Sequence, residues 1–193
     1  EALGIPMRQR PRRLEETVAI LRKLWSEPRV YFQGRHFTLE NVTVAPRPSK
    51  SIPILLGGSA EPVLRRAAAT AEGWMAGTSG TLEQLNQRIE SVLQSVVEEG
   101  KDPAKFDISK LIYMAIDNSS EKARERLVAS LHAYYGPQYD VDRNCAFGPP
   151  EACAQRIQPL LDAGVKTPIF GLTWPDVQEL ERLKREVVPR LVF

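Results

Sequence analysis

Two loops carry the residue types best suited to holding a ligand. The first is Gly57-Gly58-Ser59, directly after the apolar run Ile52-Pro53-Ile54-Leu55-Leu56 and directly before a helical pattern through Leu64, Ala67, Ala68 and Ala71. Glycines let backbone approach a ligand closely, and the unpaired N–H groups that open a helix point outward at the positive end of its dipole. Together these make an anion seat, with phosphate the usual occupant. The same residues also fit a plain strand-to-helix turn in which Ser59 is the cap. The second loop, Gly77-Thr78-Ser79-Gly80, follows the short apolar stretch Trp74-Met75-Ala76. Adjacent strand ends lie side by side at the carboxyl edge of a parallel sheet, so the two loops are placed to share one phosphate. Two short polar loops with no ligand satisfy the same pattern.

Other chemistry-bearing residues are sparse. The two histidines, His36 and His132, stand in a hairpin pattern and near a helix end, and read as surface or packing residues. Cys145 and Cys153 are eight positions apart with no metal-ligand partners, so they read as incidental thiols and no metal site is expected. Glu15-Glu16, Glu98-Glu99 and Glu179/Glu181 read as solvated helix faces. Trp25 and Trp74 fall in apolar patterns and read as core. The sequence has no nucleophile elbow, P-loop or zinc motif. It offers a binding seat, and the catalytic residues stay unassigned.

The elements that position those loops alternate. Leu14, Val18, Leu21 and Trp25 recur at helical spacing and Pro28 closes that helix. Short β-branched and aromatic runs around Gln33-Gly34 and Glu40-Asn41 predict a small hairpin. Ile52 to Leu56 reads as a strand buried on both faces. Thr81 with Gln84 forms a capping-box pattern for a helix through Leu85, Ile89, Val92, Leu93 and Val96 that Gly100 ends. Ile108 to Ile116 is a third strand after Trp74-Met75-Ala76, and Ser119 or Ser120 caps the helix behind it. YYGPQYDVDRNC reads as an irregular connection. Pro149-Pro150-Glu151 opens a helix that Pro159 should bend or interrupt. Thr167 to Leu172 is a fourth strand, and Pro175-Asp176 opens a last helix with Val177, Leu180, Leu183 and Val187 on one face. Alternation of strand and helix implies crossover units and a parallel α/β sheet. Four strands are too few for a closed eight-stranded barrel; they suit an open sheet or half a barrel.

Composition limits the function classes. The 193 residues carry 26 basic and 24 acidic side chains, net +2, with 42% hydrophobic residues. That balance argues against a nucleic-acid partner, and no apolar run reaches the length of a membrane helix. A soluble cytoplasmic protein is the expectation. The chain opens on Glu1 rather than Met, so a fragment or processed product is expected.

Several spaced motifs, in order, resemble the bacterial-luciferase-like flavin and deazaflavin oxidoreductases. They are Arg13-Leu14-Glu15-Glu16 through Leu21-Arg22-Lys23-Leu24-Trp25, Tyr31-Phe32-Gln33-Gly34-Arg35-His36-Phe37, and Ala45-Pro46-Arg47-Pro48. Pro53 to Ser59, Leu64 to Ala68, Gly73-Trp74-Met75, Phe147 to Glu151 and Asp162 to Val165 continue the match. The resemblance implies the second half of a (β/α)8 TIM barrel with a small β-hairpin insertion, residues 1–193 forming one domain and the first four strands absent. It implies that Gly57, Gly58 and Ser59 match the glycine pair after the fifth strand, and that Met75, Ala76, Gly77 and Thr78 match the loop after the sixth. Both would hold the phosphate of FMN or of the deazaflavin coenzyme F420. The implied activity is monooxygenation or hydride transfer on a small organic substrate. The alternative is a non-catalytic half-barrel that self-associates or needs a partner half, or an unrelated protein that binds phosphate ligands on an open sheet. Open strand edges and the family together imply a homo-oligomer.

Overall fold

The structure, a computed structural model, describes residues 4–172 and 176–193. The chain divides into two compact units, Glu1–Ile54 and Leu55–Phe193.

In the first unit, helix α1 (Arg10–Ser26) is followed by strands β1 (Val30–Gln33) and β2 (Thr38–Val42), an antiparallel hairpin. Glu40 and Asn41, expected at a turn, lie inside β2. Val30 pairs with Val42 and Phe32 with Leu39, so β2 carries one extra residue, and Asn41 takes it up at φ 56°. Asparagine tolerates that left-handed conformation, so the turn signal in the sequence marks a bulge. Glu16 is a second correction. It is buried and accepts the backbone N–H groups of Arg35, His36 and Phe37 at 2.9, 2.9 and 3.2 Å. A carboxylate that ties a hairpin turn to a helix is not a solvated face.

The second unit is a parallel sheet with intervening helices. Strands β3 (Leu55–Gly57), β4 (Gly73–Ala76), β5 (Asp107–Ile116), β6 (Cys145–Gly148) and β7 (Thr167–Leu172) alternate with α2 (Glu61–Thr70), α3 (Leu82–Glu98), α4 (Ser120–Tyr135), α5 (Val141–Asn144) and α6 (Pro150–Asp162). Helix α7 (Val177–Arg182) follows β7. Local signals explain the helix starts. Thr81 and Gln84 make the full reciprocal capping box of α3, and Ser119 caps α4 by accepting the Lys122 N–H. Gly100, at φ 70°, ends α3. Val92, Val96, Ile108 and Leu127 are fully buried between helices and sheet, each worth about 1.5–3 kcal/mol of burial.

β5 organises the sheet. Ser109 and Lys110 pair with both β4 and β7, and Tyr113 and Met114 pair with both β6 and β7. A strand has two edges, so β7 holds one while β4 and β6 share the other in succession. Among the described residues Leu111 and Ile112 have no partner on that shared edge, which leaves a fork between the end of β4 and the start of β6.

Several expectations change. The stretch expected to be an irregular connection contains α5, capped by Asp140, and runs into β6, a four-residue strand too short for periodicity to reveal. α6 passes through Pro159 to Asp162 without interruption. Ile52 is exposed and β3 is three residues long, paired only with β4 among the described residues, so the run is not a strand buried on both faces. Pro175 lies outside the described residues. Val177 (74% exposed) and Leu180 face solvent, while Leu183 and Val187 are buried. The buried residue on α7 is Glu179, 3% exposed, which accepts the Ile116 N–H at 2.7 Å and pairs with Arg126 at 2.5 Å. Its carboxylate pins α7 to the end of β5, so that glutamate too is no solvated face.

Candidate functional site

The two glycine loops end adjacent strands. Leu55, Leu56 and Gly57 pair with Gly73, Trp74 and Met75, which sets the Gly57–Ser59 loop beside the Gly77–Gly80 loop at the carboxyl edge. One open cavity of about 590 Å³ is lined by all seven residues expected at the seat: Gly57, Gly58, Ser59, Met75, Ala76, Gly77 and Thr78. The sequence reading missed Arg88, Leu111 and Tyr135 on the same wall. Thr81, Gln84 and Arg88 fall at three- and four-residue steps on α3, a spacing that puts them on the face turned to the loop, and that signal was available.

The loop residues differ in why they are what they are. Gly58 has φ 135°, and a Cβ there would meet Val63 Cγ1 at 2.8 Å, so the fold itself requires glycine. Gly57 and Gly77 are not so constrained. A Cβ on Gly57 would touch nothing closer than the Met75 carbonyl at 3.6 Å, and one on Gly77 would meet nothing within 4 Å. Both glycines keep clear a space into which a side chain would otherwise project, the cradle that a group seated on backbone needs.

Trp74 and Lys110 brace the cradle from below. The Trp74 side chain is 1% exposed, and its indole N–H donates to the Gly58 carbonyl at 2.7 Å. The Lys110 ammonium donates to the Gly77 carbonyl at 2.7 Å. Both loop carbonyls are thus engaged, and in the second loop the Gly80 N–H donates to Asn144 Oδ1 at 3.3 Å. Ser59 does not cap α2: Ala60 stands at the cap with no side-chain bond, and the first-turn Glu61 pairs with Arg65. The tight-turn reading with a serine cap therefore fails, and the Ser59 hydroxyl is left outside the helix.

Among the described residues, Arg88 and Tyr135 are the ionisable side chains on this cavity wall, with no carboxylate or imidazole beside them. Tyr135 shares a 3.1 Å hydrogen bond with the Tyr113 hydroxyl. That bond and burial push the Tyr113 phenol up to about 12. Both cysteines are buried and free, and burial pushes each thiol up to about 11. His132 bonds the Tyr139 carbonyl through Nε2, a packing role. Among the described residues no group of three His, Cys, Asp or Glu side chains is placed to hold a metal ion, and no helix is long and apolar enough to cross a membrane.

A parallel sheet of β/α units with a backbone cradle at its carboxyl edge is the architecture of barrel enzymes that seat phosphate-bearing cofactors. Residues 1–140 match the luciferase-like monooxygenase family, and the chain belongs to it. It is 26% identical over 212 residues to F420-dependent glucose-6-phosphate dehydrogenase 1 of Rhodococcus jostii, covering 95% of this chain and 62% of that protein. It is 34% identical over 118 residues to an uncharacterized protein of Mycobacterium tuberculosis, covering 61% of this chain and 40% of that one. An F420-dependent secondary alcohol dehydrogenase in complex with an F420-acetone adduct superposes with a TM-score of 0.82 at 23% identity, over 98% of this chain and 64% of the other. The monooxygenase RslO1 of Streptomyces bottropensis gives 0.78 at 18% identity, over 97% and 64%. The chain thus spans less than two thirds of the length of these relatives. The α/β fold with a parallel sheet is that of the luciferase-like barrels.

Proposed function

We propose that this chain forms the phosphate-holding side of an F420-dependent oxidoreductase acting on a small organic substrate. The observation that carries the reading is the pair of unforced glycines, Gly57 and Gly77, opening one cavity in a member of this family. The relatives' names favour F420 over FMN. The bound coenzyme would supply hydride transfer. The chain's own residues bind and orient: N–H groups of the Gly57–Ser59 loop and the Thr78 hydroxyl meet phosphate oxygens, while Trp74 and Lys110 fix the carbonyls that would otherwise repel them. No residue on this wall is suited to move a proton at neutral pH, so the role of these residues is positioning. In this reading residues 1–193 act as the second half of a (β/α)8 barrel. The working form is a cytoplasmic oligomer, since β3 and β7 each pair on one edge among the described residues and both thiols are free.

The test is to incubate the purified chain with F420 or FMN, remove free ligand, and record the absorbance spectrum and native mass. Stoichiometric F420 on a species of two or more chains is the expected result, with Gly57→Val abolishing retention at unchanged thermal midpoint. If neither chromophore is retained, or Gly57→Val retains F420 as well as the parent does, the seat is wrong.

A further inference from the structure

A second cavity, of about 320 Å³, fills the fork in the sheet, between α3 and α6. We propose that it is a binding site for a small oxyanion of the phosphate class. The proposal rests on this cavity alone and does not depend on the coenzyme reading.

Charge distinguishes this cavity. Arg88, Lys110, Arg143 and Arg156 line the cavity together with the polar loop Gly77–Thr81, and among the described residues no carboxylate lines it. Arg143 reaches Asp140 at 3.5 Å from an exposed position, a rim pairing worth little. Arg156 lies over the Phe147 ring at 4.2 Å and donates to the Asp142 and Cys145 carbonyls, and among the described residues it makes no direct ion pair. Arg88 has no hydrogen-bond or ion-pair partner among the described residues.

Lys110 separates this cluster from an ordinary basic surface. It is 8% exposed, on the β5 face shared with buried Ile108, Ile112 and Met114. Its one hydrogen bond among the described residues, to the Gly77 carbonyl, occupies one of three ammonium protons. The same molecule shows what a structural lysine looks like. Lys101 spreads over the carbonyls of Ala68, Ala69 and Ala71, and Lys166 over those of Pro103, Ala104 and Phe106. Those two fill their donors with carbonyl groups and stand in solvent; Lys110 is buried with donors to spare. Burial and the neighbouring Arg88 both press its ammonium pKa below the ordinary lysine value. Two cations crowded at a cavity wall without a counterion are at a disadvantage that an entering oxyanion removes. Thr78, Ser79 and Asn144 add neutral hydrogen-bonding groups.

The test is calorimetric titration of the full chain with inorganic phosphate, against chloride at matched ionic strength. Phosphate should bind and chloride should not. Arg88→Gln and Lys110→Met should each weaken binding at least about tenfold, as loss of a charge-assisted hydrogen bond does, with partial recovery in Arg88→Lys. Lys105→Gln, at an exposed position outside the cavity, should change nothing. Phosphate heats equal to those of chloride, or full affinity in Arg88→Gln, would overturn the proposal; should Lys110→Met fail to fold, Arg88→Gln decides alone. Repeating the titration on chain saturated with F420 distinguishes the source of the anion. Continued phosphate binding assigns the site to a substrate group, and displacement assigns it to an anionic group of the coenzyme; both keep the oxyanion site.

Discussion

The glycine pair allows stability and binding to be separated by two one-methyl changes. Gly58→Ala forces an L side chain to φ 135°, and its Cβ arrives 2.8 Å from Val63 Cγ1. Backbone strain of this kind costs about 1–3 kcal/mol. The overlap adds about 1–2 kcal/mol, at the low end of overpacking because Val63 is only half-buried. The sum is about 2–5 kcal/mol, or roughly 5–15 °C of thermal midpoint for a chain of this size. Val63→Ala removes the overlap and leaves the strain, so the double variant should recover about 1–2 kcal/mol relative to additivity. Gly57→Ala meets nothing closer than 3.6 Å and should stay within about 0.5 kcal/mol of the parent. Urea unfolding of the four variants, followed by circular dichroism, gives all the terms. A Gly58→Ala midpoint indistinguishable from the parent, or a double variant that is merely additive, would refute the account of this turn.

Three further outcomes follow from buried polar groups. Glu179→Ala leaves the Ile116 N–H without its acceptor and Arg126 without its partner. It should cost roughly 3 kcal/mol, less than a fully buried pair because Arg126 is partly exposed, and Glu179→Gln should cost about half as much since an acceptor remains. Urea midpoints check this, and equal losses in the two variants would contradict it. The Tyr113 phenol, raised to about 12 by Tyr135 and burial, stays neutral in the fold while an unfolded tyrosine ionises near 10. Its contribution is fully present below pH 10 and is lost as pH climbs from 10 to 12, so Tyr113→Phe should flatten the alkaline limb of stability against pH. Cys145 and Cys153 should resist a thiol reagent at pH 8 in the native chain and react fully in urea.

What the sequence made legible was mostly local. The capping box at Thr81 and Gln84, the Ser119 cap and the Gly100 stop are each decided within a few residues, and each formed as the pattern implied. The glycine loops were legible for the same reason, since alternation of strand and helix carries both to one edge. What failed was decided at a distance. Glu16 answers N–H groups 19 to 21 positions away, and Glu179 answers one 63 positions away; in the sequence both look like ordinary polar positions on a helix. β6 is a strand because β5 outruns β4 and leaves the edge from Leu111 to Ile116 open, where β6 pairs with Tyr113 to Ile116, a fact about lengths in space. Arg88 was legible from its helical spacing to Thr81 and Gln84, whereas Lys110 was not, because a single cation on a strand carries no signal until the fold brings it to the fork beside Arg88.

The loop from Gly77 to Gly80 has a cavity on either side and forms part of both walls. A partition that thin, stayed at one carbonyl by Lys110, makes the occupants of its two sides thermodynamically answerable to each other. Whatever factor an anion behind the loop imposes on the affinity of a ligand in front of it, the ligand imposes on the anion in return. Measuring either affinity with the opposite side filled and empty therefore yields both halves of the coupling from titrations of a single ligand.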